Sequence, residues 1–525
     1  MNRSLLPEIA ASILLALLAA AATLAYRPYP IYDDGIVYLN IAENLRQGHG
    51  VSTTIVHYDT ERSHGRIPAP VTTFPPGYPA VIALFGGSET AARLVSIAGF
   101  AATAGLLTWG LLAAAVPFIV RLAALALLLT NVFALSYSTS VTSEWLFTSF
   151  AFSSLLGILW TFRSGRATGV VLACVSIGLA YTVRYAALFL MPPVIGYTLY
   201  RAYSDRRWQL SLAALIPASI AISLIVRNAL LVGDWRGGND LVILNPISQI
   251  IGTYVRGELH LIFGNHKGRW GAWELLTLAA AATTAIGAWL HSAGKTFREE
   301  GLAGLWIALY TAAFFYAARH SVVDLDSRMF LPMLPCYLLA LGLIVSPRLV
   351  FSSKLVLTRA SVSVLFGLAL VTLALGYAAI NARDIYEADP PPRQTAIAAM
   401  LAEPTSSGQP LRQWLESNLS PGDVIVASDG QATAYVLHRP TLSMVTAVYS
   451  NIHWECGEIQ SQMARYRSRY LILFKPPPAG SPESLTAFPI ESKFVASSSE
   501  QQQSCGFTVP TENRLVRVLR RTKPD

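Results

Sequence analysis

Charged residues are scarce in this chain of 525 residues. Asp, Glu, Lys and Arg together make up 13% of it, whereas hydrophobic residues make up 53%. Because a water-soluble protein typically carries roughly 25% charged residues, this composition excludes an ordinary soluble protein and indicates an integral membrane protein. The formal net charge of +8 does not point to nucleic acid, since no basic run with interleaved aromatic residues occurs. An excess of Lys and Arg is typical of the cytoplasmic loops of membrane proteins.

Nucleotide-binding motifs and internal repeats are both missing. The sequence contains no Walker loop and no Gly-x-Gly-x-x-Gly after a predicted strand, which excludes the common phosphate cradles of nucleotide-dependent enzymes. Secondary transporters and flippases, the main alternative class for a polytopic protein, are often built from repeated halves with charges at the membrane midplane. The absence of a repeat therefore disfavours a transporter.

Cysteine is rare, with four residues in the chain. Cys174 and Cys336 lie in apolar segments, where a thiol behaves as a small hydrophobe. Cys456 and Cys505 lie in the polar C-terminal part, where a disulfide between them is chemically permitted and two free thiols are the alternative. Residues 453–456 contain ligand types for zinc, but no second pair at structural-zinc spacing follows, so no zinc site is expected.

Long apolar segments dominate the first 380 residues and predict about eleven membrane-spanning helices. They lie at about 5–26, 90–114, 117–137, 143–162, 168–184, 186–201, 208–230, 271–291, 301–318, 329–346 and 360–380. The first could instead be a signal peptide, since Arg3 precedes it and alanines at 20–22 resemble a cleavage site. Its near-spanning length favours a retained helix.

The positive charges of the loops predict the orientation of these spans. When the spans alternate, one side of the membrane carries Arg163, Arg166, Arg201, Arg206, Arg207, Lys295, Arg298, Arg348, Lys354 and Arg359. That side is expected to be the cytoplasm. The N-terminus is then cytoplasmic in the inner (plasma) membrane, and the segments 27–89, 232–270 and everything after 381 lie outside. The external loop 232–270 contains a helix-like stretch at 246–261.

The composition becomes that of a soluble protein near residues 381–392. A transmembrane domain of residues 1–380 and a C-terminal extracytoplasmic domain of residues 381–525 are therefore predicted. Within the second domain, a helix at 411–419 precedes a strand at 423–427, and a helix at 453–466 precedes a strand at 470–474, which favours an α/β domain with a partly parallel sheet. The run 497–504, rich in Ser and Gln, is predicted to be a flexible loop.

Three acidic residues stand at the predicted outer ends of spans. Asp33 and Asp34 follow the first apolar segment, where a site beside water is the default expectation for acids. Glu144 is the sole acidic residue between positions 90 and 200, and it lies where the third span turns into the fourth. It could be a solvated turn residue, or a second acid that faces the first external loop.

Three arginines, Arg184, Arg227 and Arg328, are expected on the same face. Each could simply extend to lipid headgroups, but together they could form a phosphate site, because a guanidinium binds phosphate oxygens bidentately and stays charged. Further contacts to a substrate are expected from Tyr32, Tyr78, His64 and His320, although solvated loop histidines are common.

The order of these motifs resembles a known family. Four features in this order are similar to the polyprenyl-phosphate-sugar-dependent glycosyltransferases of the GT-C fold, especially the protein O-mannosyltransferase and aminoarabinose transferase group. They are Asp33-Asp34 after the first span, residues 74–79 (Phe-Pro-Pro-Gly-Tyr-Pro), Glu144 and the segment 328–335. The resemblance covers roughly residues 1–380. The expected fold class is a polytopic α-helical membrane protein with a C-terminal α/β domain.

The resemblance also implies roles for the residues. Asp33, or Asp34 where many relatives have Glu, acts as the base on an acceptor hydroxyl, and Glu144 either contacts substrate or helps to hold a divalent metal, Mg or Mn. The donor is a polyprenyl-phosphate-linked sugar in the bilayer, and the acceptor is a protein, lipid or glycan. The residue types suit a single inverting displacement, in which a carboxylate accepts the proton of the hydroxyl and cations stabilise the departing phosphate.

Overall fold

The computed structural model describes residues 6–25, 31, 33–57, 60, 63–235, 237, 246–263, 299–320, 327–345, 393–444, 452–475, 494 and 497–522. The predicted spans at 271–291 and 360–380 lie outside the described residues, and so does the predicted domain boundary at 381–392. Everything below concerns the described part of the chain.

Helices make up most of the first part of the chain. They are α1 (Leu6–Ala25), α2 (Asp33–Arg46), α3 (Gly77–Leu84), α4 (Glu89–Ala113), α5 (Phe118–Thr130), α6 (Val132–Ser138), α7 (Glu144–Ser164), α8 (Ala167–Val183), α9 (Met191–Ser204), α10 (Leu210–Val232), α11 (Ile247–Phe263), α12 (Glu299–His320) and α13 (Leu334–Val345). Two 3₁₀ helices, Tyr185–Phe189 and Ser327–Met333, precede α9 and α13. Each predicted span within the described residues coincides with one of these helices, with a 3₁₀ helix followed by one, or, for 117–137, with the two helices α5 and α6.

Four of the described helices are long and apolar enough to cross a membrane: α4, α7, α10 and residues Gly301–Arg319 of α12. The predicted span at 117–137 is broken, because α5 and α6 meet at an angle of 56°. Asn131 stands at this break. Its side chain accepts a hydrogen bond from the Ala134 amide at the start of α6 and donates one to the Leu261 carbonyl of α11, so it caps one helix while it binds another.

The C-terminal part contains a six-stranded sheet with helices on both faces. Its helices are α14 (Arg393–Ala402), α15 (Leu411–Asn418), α16 (Gly430–Leu437), α17 (Cys456–Arg465) and α18 (Ser499–Ser504). The strands of the C-terminal part are β4 (Ile425–Ala427), β5 (Thr441–Ser443), β6 (Tyr470–Phe474), β7 (Phe507–Glu512) and β8 (Val516–Arg521). The run predicted to be a flexible loop forms α18, which begins with reciprocal capping between Ser498 and Gln501.

The sixth strand of this sheet comes from the segment predicted to be the first external loop. That loop contributes three short strands, β1 (Ser52–Thr53), β2 (Ile55–Val56) and β3 (Ala69–Pro70). The sheet order is β2-β5-β4-β6-β8-β7. Neighbouring strands from β2 to β6 pair in parallel, whereas β8 pairs antiparallel with both β6 and β7. The α/β domain is therefore completed by a segment far from it in the sequence.

Apolar packing holds each part together. The membrane helices bury one large cluster that includes Phe100, Trp145 and Phe152. In the α/β domain, one face of the sheet is covered by α14, α15 and α16 and the other by α17. Cys456 and Cys505 are joined by a disulfide at the start of α17, and Cys174 and Cys336 are free and buried.

Candidate active site

Four charged side chains from separate elements meet at one end of the membrane helices. Asp34 lies in the first turn of α2, and Glu144 is the first residue of α7. Arg184 follows α8 directly, and Arg328 lies in the 3₁₀ helix before α13. Acidic residues are favourable in the first turn of a helix because the free amide groups there carry partial positive charge.

Arg328 lies between the two acids. Its Nη1 is 3.0 Å from Oδ2 of Asp34, and its Nε is 3.9 Å from Oε1 of Glu144. The same Oε1 accepts a 2.6 Å hydrogen bond from Nη1 of Arg184. Glu144 is only 3% exposed, so its charge requires these partners. Burial alone would lower the pKa of the Arg184 guanidinium, but the Glu144 carboxylate raises it, and Arg184 therefore stays charged.

Two glycines allow the elements of the site to approach closely. A Cβ atom on Gly35 would lie 2.7 Å from the Val141 carbonyl oxygen, so α2 touches the segment that leads to Glu144. A Cβ atom on Gly77 would lie 2.6 Å from the carbonyl oxygen of Thr182, two residues before Arg184. Contacts this short exclude any larger residue without a backbone shift. The glycines of the Asp-Asp-Gly and Phe-Pro-Pro-Gly motifs thus bring the acids and an arginine together.

Side chains around the cluster hold it in place. The hydroxyl of Tyr38 in α2 shares a 3.2 Å hydrogen bond with Oγ of Ser143, and burial, followed by the nearby Asp34 carboxylate, raises the pKa of Tyr38 above its ordinary value. Met329, the neighbour of Arg328, receives hydrogen bonds from Arg184 at its sulfur and from Tyr310 at its carbonyl oxygen. Sequence reasoning missed Tyr38, Ser143 and Tyr310, because a hydroxyl in an apolar or amphipathic helix carries no local signal of its partner.

A second polar cluster, also missed, supports the helix that carries Arg328. Glu258 in α11 accepts hydrogen bonds from the hydroxyls of Tyr254 (2.9 Å) and Tyr337 (2.7 Å). A Cβ atom on Gly257 would overlap the ring of Phe330, so α11 packs directly against the 3₁₀ helix. This cluster fixes α11 against the segment that carries Arg328.

Arg227 does not join the other two arginines. Its Nη2 donates to the carbonyl oxygens of Val71 (2.8 Å) and Val51 (3.4 Å) in the segment predicted to be the first external loop. The structure thus brings Arg184 and Arg328 to one acid, Glu144, and shows Arg227 bound to loop carbonyls. The phosphate role of the three arginines stays a prediction.

The expected substrate contacts have separate positions. Tyr78 is completely buried, and its hydroxyl donates to the Ala92 carbonyl and shares a hydrogen bond with Ser96, so it packs α3 against α4 instead of facing a substrate. His64 is exposed in a turn with φ of +51°. Tyr32, and the side chains of Asp33 and His320, lie outside the described residues.

The divalent metal that the resemblance implies, Mg or Mn, stays a prediction, since the side chain of Asp33 lies outside the described residues. Within the described ranges, no three His, Cys, Asp or Glu residues come together in a way that could hold a metal. Asp34 and Glu144, the two acids of the cluster, each face a guanidinium within 3.0 Å, and a divalent cation would have to displace these positive groups.

Several solved structures are similar to this chain. One is ArnT from Cupriavidus metallidurans bound to undecaprenyl phosphate, with a TM-score of 0.57, 12% identity, and 97% of each chain covered. Another is the archaeal oligosaccharyltransferase AglB from Archaeoglobus fulgidus in complex with an inhibitory peptide and a dolichol-phosphate, with a TM-score of 0.50, 12% identity, and 88% of this chain and 69% of that one covered. No protein-family model and no curated protein sequence matches. The structural likeness confirms the expected GT-C fold, a polytopic helical membrane protein with a C-terminal α/β region.

Proposed function

We propose that this chain is a membrane glycosyltransferase that moves a sugar from a polyprenyl-phosphate donor to a hydroxyl acceptor at the outer face of the membrane. The observation that carries the proposal is the cluster of Asp34, Arg328, Glu144 and Arg184 at one end of the membrane helices. The similar ArnT structure was determined with undecaprenyl phosphate and the AglB structure with a dolichol-phosphate, which supports a lipid phosphate as the ligand of this fold.

The two arginines are the proposed phosphate site. Transfer leaves negative charge on the departing lipid phosphate, and fixed cations that face this charge usually give the largest electrostatic contribution to catalysis. Arg184 and Arg328 both lie beside Glu144, so two cations are already gathered at one acid before a ligand binds. Glu144 is thus proposed to position both arginines, and no step is assigned to a metal.

Asp34, together with Asp33 at the start of α2, is the proposed base. A carboxylate that accepts the proton of the acceptor hydroxyl typically contributes about 10² to 10⁴ in rate. The oxygen then attacks the anomeric carbon while the bond to the phosphate oxygen breaks, and this single displacement inverts the anomeric centre. The acceptor is proposed to be a protein Ser or Thr, a lipid or a cell-envelope glycan.

The ion pair between Asp34 and Arg328 connects the two halves of the site. A donor phosphate is a better bidentate partner for a guanidinium than one carboxylate oxygen, so donor binding is proposed to draw Arg328 away from Asp34. The released carboxylate would then be free to accept the proton of the acceptor hydroxyl. This exchange would generate the base only when the donor is present.

The membrane arrangement follows from the charges of the loops. We propose a multi-pass protein of the inner (plasma) membrane, with a cytoplasmic N-terminus and with the active site and the α/β domain outside. The α/β domain contacts α2 through α16, so it shares the side of the membrane on which the acids lie.

The direct test is to incubate the purified full-length protein with a panel of lipid-phosphate sugars and candidate acceptors and to measure free lipid phosphate. Wild type should release free lipid phosphate. The variant that lacks the base, Asp33→Asn or Asp34→Asn, should release much less of it. Asp205→Asn, an acid in an exposed ion pair with Arg201, is the matched control. Full turnover in both Asp33→Asn and Asp34→Asn would remove the base assignment. A flippase, the alternative, would move the donor across a vesicle without releasing lipid phosphate.

A further inference from the structure

The α/β domain touches the backbone directly in front of the two aspartates. Gln394, near the start of α14, donates a 2.7 Å hydrogen bond from Nε2 to the carbonyl oxygen of Ile31, two residues before Asp33. Both partners are 8% exposed. A carbonyl buried to this degree needs a donor, because an unsatisfied backbone group away from water is costly. Gln394 supplies it from a distant part of the chain.

A second attachment lies along α2. Asn40 in α2 accepts hydrogen bonds at Oδ1 from the Thr54 amide (2.7 Å) and the Thr53 hydroxyl (2.8 Å). The Thr54 carbonyl in turn accepts a hydrogen bond from the amide of Thr441 in β5 (2.9 Å). Strand β2, which begins at the next residue, pairs with β5 in parallel. Helix α2 is therefore connected to the central sheet of the α/β domain through one asparagine.

A third attachment leads toward Glu144. The hydroxyl of Tyr435 in α16 donates to Oε2 of Glu89 (3.0 Å), and Oε1 of Glu89 binds Arg93 (2.8 Å). Arg93 also donates to the carbonyl oxygen of Thr139, in the segment that leads to α7. The neighbouring Ala434 of α16 is buried in the apolar core of the membrane helices. The α/β domain thus reaches the segments in front of both acids.

From these contacts we infer that the α/β domain positions the acids for the reaction, and that Gln394 is a positioning residue for Asp33 and Asp34. Only the expected effect on the transfer rate rests on the proposed function; the structural role of Gln394 does not. Gln394 acts through the Ile31 carbonyl, which its side chain binds. Since α2 begins two residues later, this one hydrogen bond sets where the first turn of α2, and with it Asp34, lies relative to Arg328.

The test compares Gln394→Met with wild type in the full-length protein. Methionine has nearly the same length but donates no hydrogen bond, and loss of one buried hydrogen bond typically shifts a local opening equilibrium about tenfold. We expect amide hydrogen exchange in the first turns of α2 to become about tenfold faster, while exchange in β4 and β6 stays unchanged. Gln413→Met, which replaces an exposed glutamine of α15 in the same domain, should change neither.

The kinetic arm separates positioning from general stability. In Gln394→Met we expect kcat to fall about tenfold with the donor KM unchanged or lowered by up to several-fold, because Arg184 stays paired with Glu144 and Arg328 loses at most the competition of Asp34. Unchanged exchange in α2, or an unchanged kcat in an active enzyme, would overturn the inference. A wild type that transfers no sugar would refute the proposed function, and the exchange measurement would still decide whether Gln394 positions α2.

Discussion

Nη1 of Arg328 lies 3.0 Å from Oδ2 of Asp34, and both side chains are mostly buried. Asp34 comes from α2 and Arg328 from the 3₁₀ helix before α13, far away in the sequence. The pair therefore joins the two segments that the proposed mechanism needs, one that carries the base and one that binds phosphate.

Replacement of Asp34 by Asn should lower the rate of transfer and raise the affinity for the donor lipid. Transfer should fall by about 10² to 10⁴, because an amide cannot accept the proton. Affinity for undecaprenyl phosphate should rise several-fold, because Arg328 no longer has a competing carboxylate. Steady-state release of lipid phosphate and equilibrium binding measure the two effects. A variant with reduced transfer and reduced donor affinity would contradict the exchange of partners at Arg328.

Replacement of Arg328 by Ala should weaken donor binding by about 10- to 100-fold, since a charge-assisted hydrogen bond contributes about 1.5–3 kcal/mol. Binding of undecaprenyl phosphate to the purified variant is the measurement. Arg207→Ala, which removes an exposed arginine at the opposite end of the helices, should bind the lipid as wild type does. Wild-type affinity and rate in Arg328→Ala would exclude its phosphate role.

Replacement of Glu144 by Gln should lower the stability of the protein by about 3 kcal/mol, because it leaves two guanidinium groups beside a neutral side chain. Glu144 is 4% exposed as a side chain, and its partner Arg184 is 19% exposed, so water can compensate only in part. Thermal unfolding in detergent should show the loss. The double variant Glu144→Gln with Arg184→Met should recover part of the lost stability. A double variant whose loss of stability equals the sum of the two single losses would show that Glu144 and Arg184 do not stabilise each other.

The position of the α/β domain outside the cytoplasm can be tested by cysteine labelling in intact cells. Ser417 in α15 and Ser204 in α9 are both exposed, and the native cysteines are either buried or in a disulfide, so the background should be low. A membrane-impermeant thiol reagent should label Ser417→Cys and spare Ser204→Cys. The reverse pattern would invert the topology.

Much of the helical framework could be predicted from local sequence. Apolar runs such as 90–114 and 143–162 coincide with α4 and α7, and the strand at 470–474 has the predicted bounds. These predictions succeed because the transfer of a segment from water to an apolar environment depends on its own composition and length. The break at Asn131 escaped prediction, since it depends on a hydrogen bond to the distant Leu261 carbonyl.

The candidate site was predictable in part. Asp34, Glu144, Arg184 and Arg328 were identified because charges at the ends of apolar segments are costly and therefore informative. Arg227 and Tyr78 belong to the same sequence pattern, yet the first binds loop carbonyls and the second is buried against α4. Local pattern places a charge or a hydroxyl near the end of a span, but its partner depends on how neighbouring segments pack.

By itself, the sequence determined that this is a membrane protein, where most of its apolar helices and the strands β4 and β6 lie, and which acids and arginines stand at the ends of the helices, because these properties follow from the local balance of apolar and charged residues. Only the tertiary structure decided that Asp34 and Glu144 share Arg328, that Ile55 and Val56 complete the sheet of the α/β domain, and that Gln394 binds the backbone before the aspartates. Each of these is a contact between segments remote in the chain, and such contacts arise from close packing and hydrogen-bond satisfaction across the whole fold, for which no single segment carries a signal.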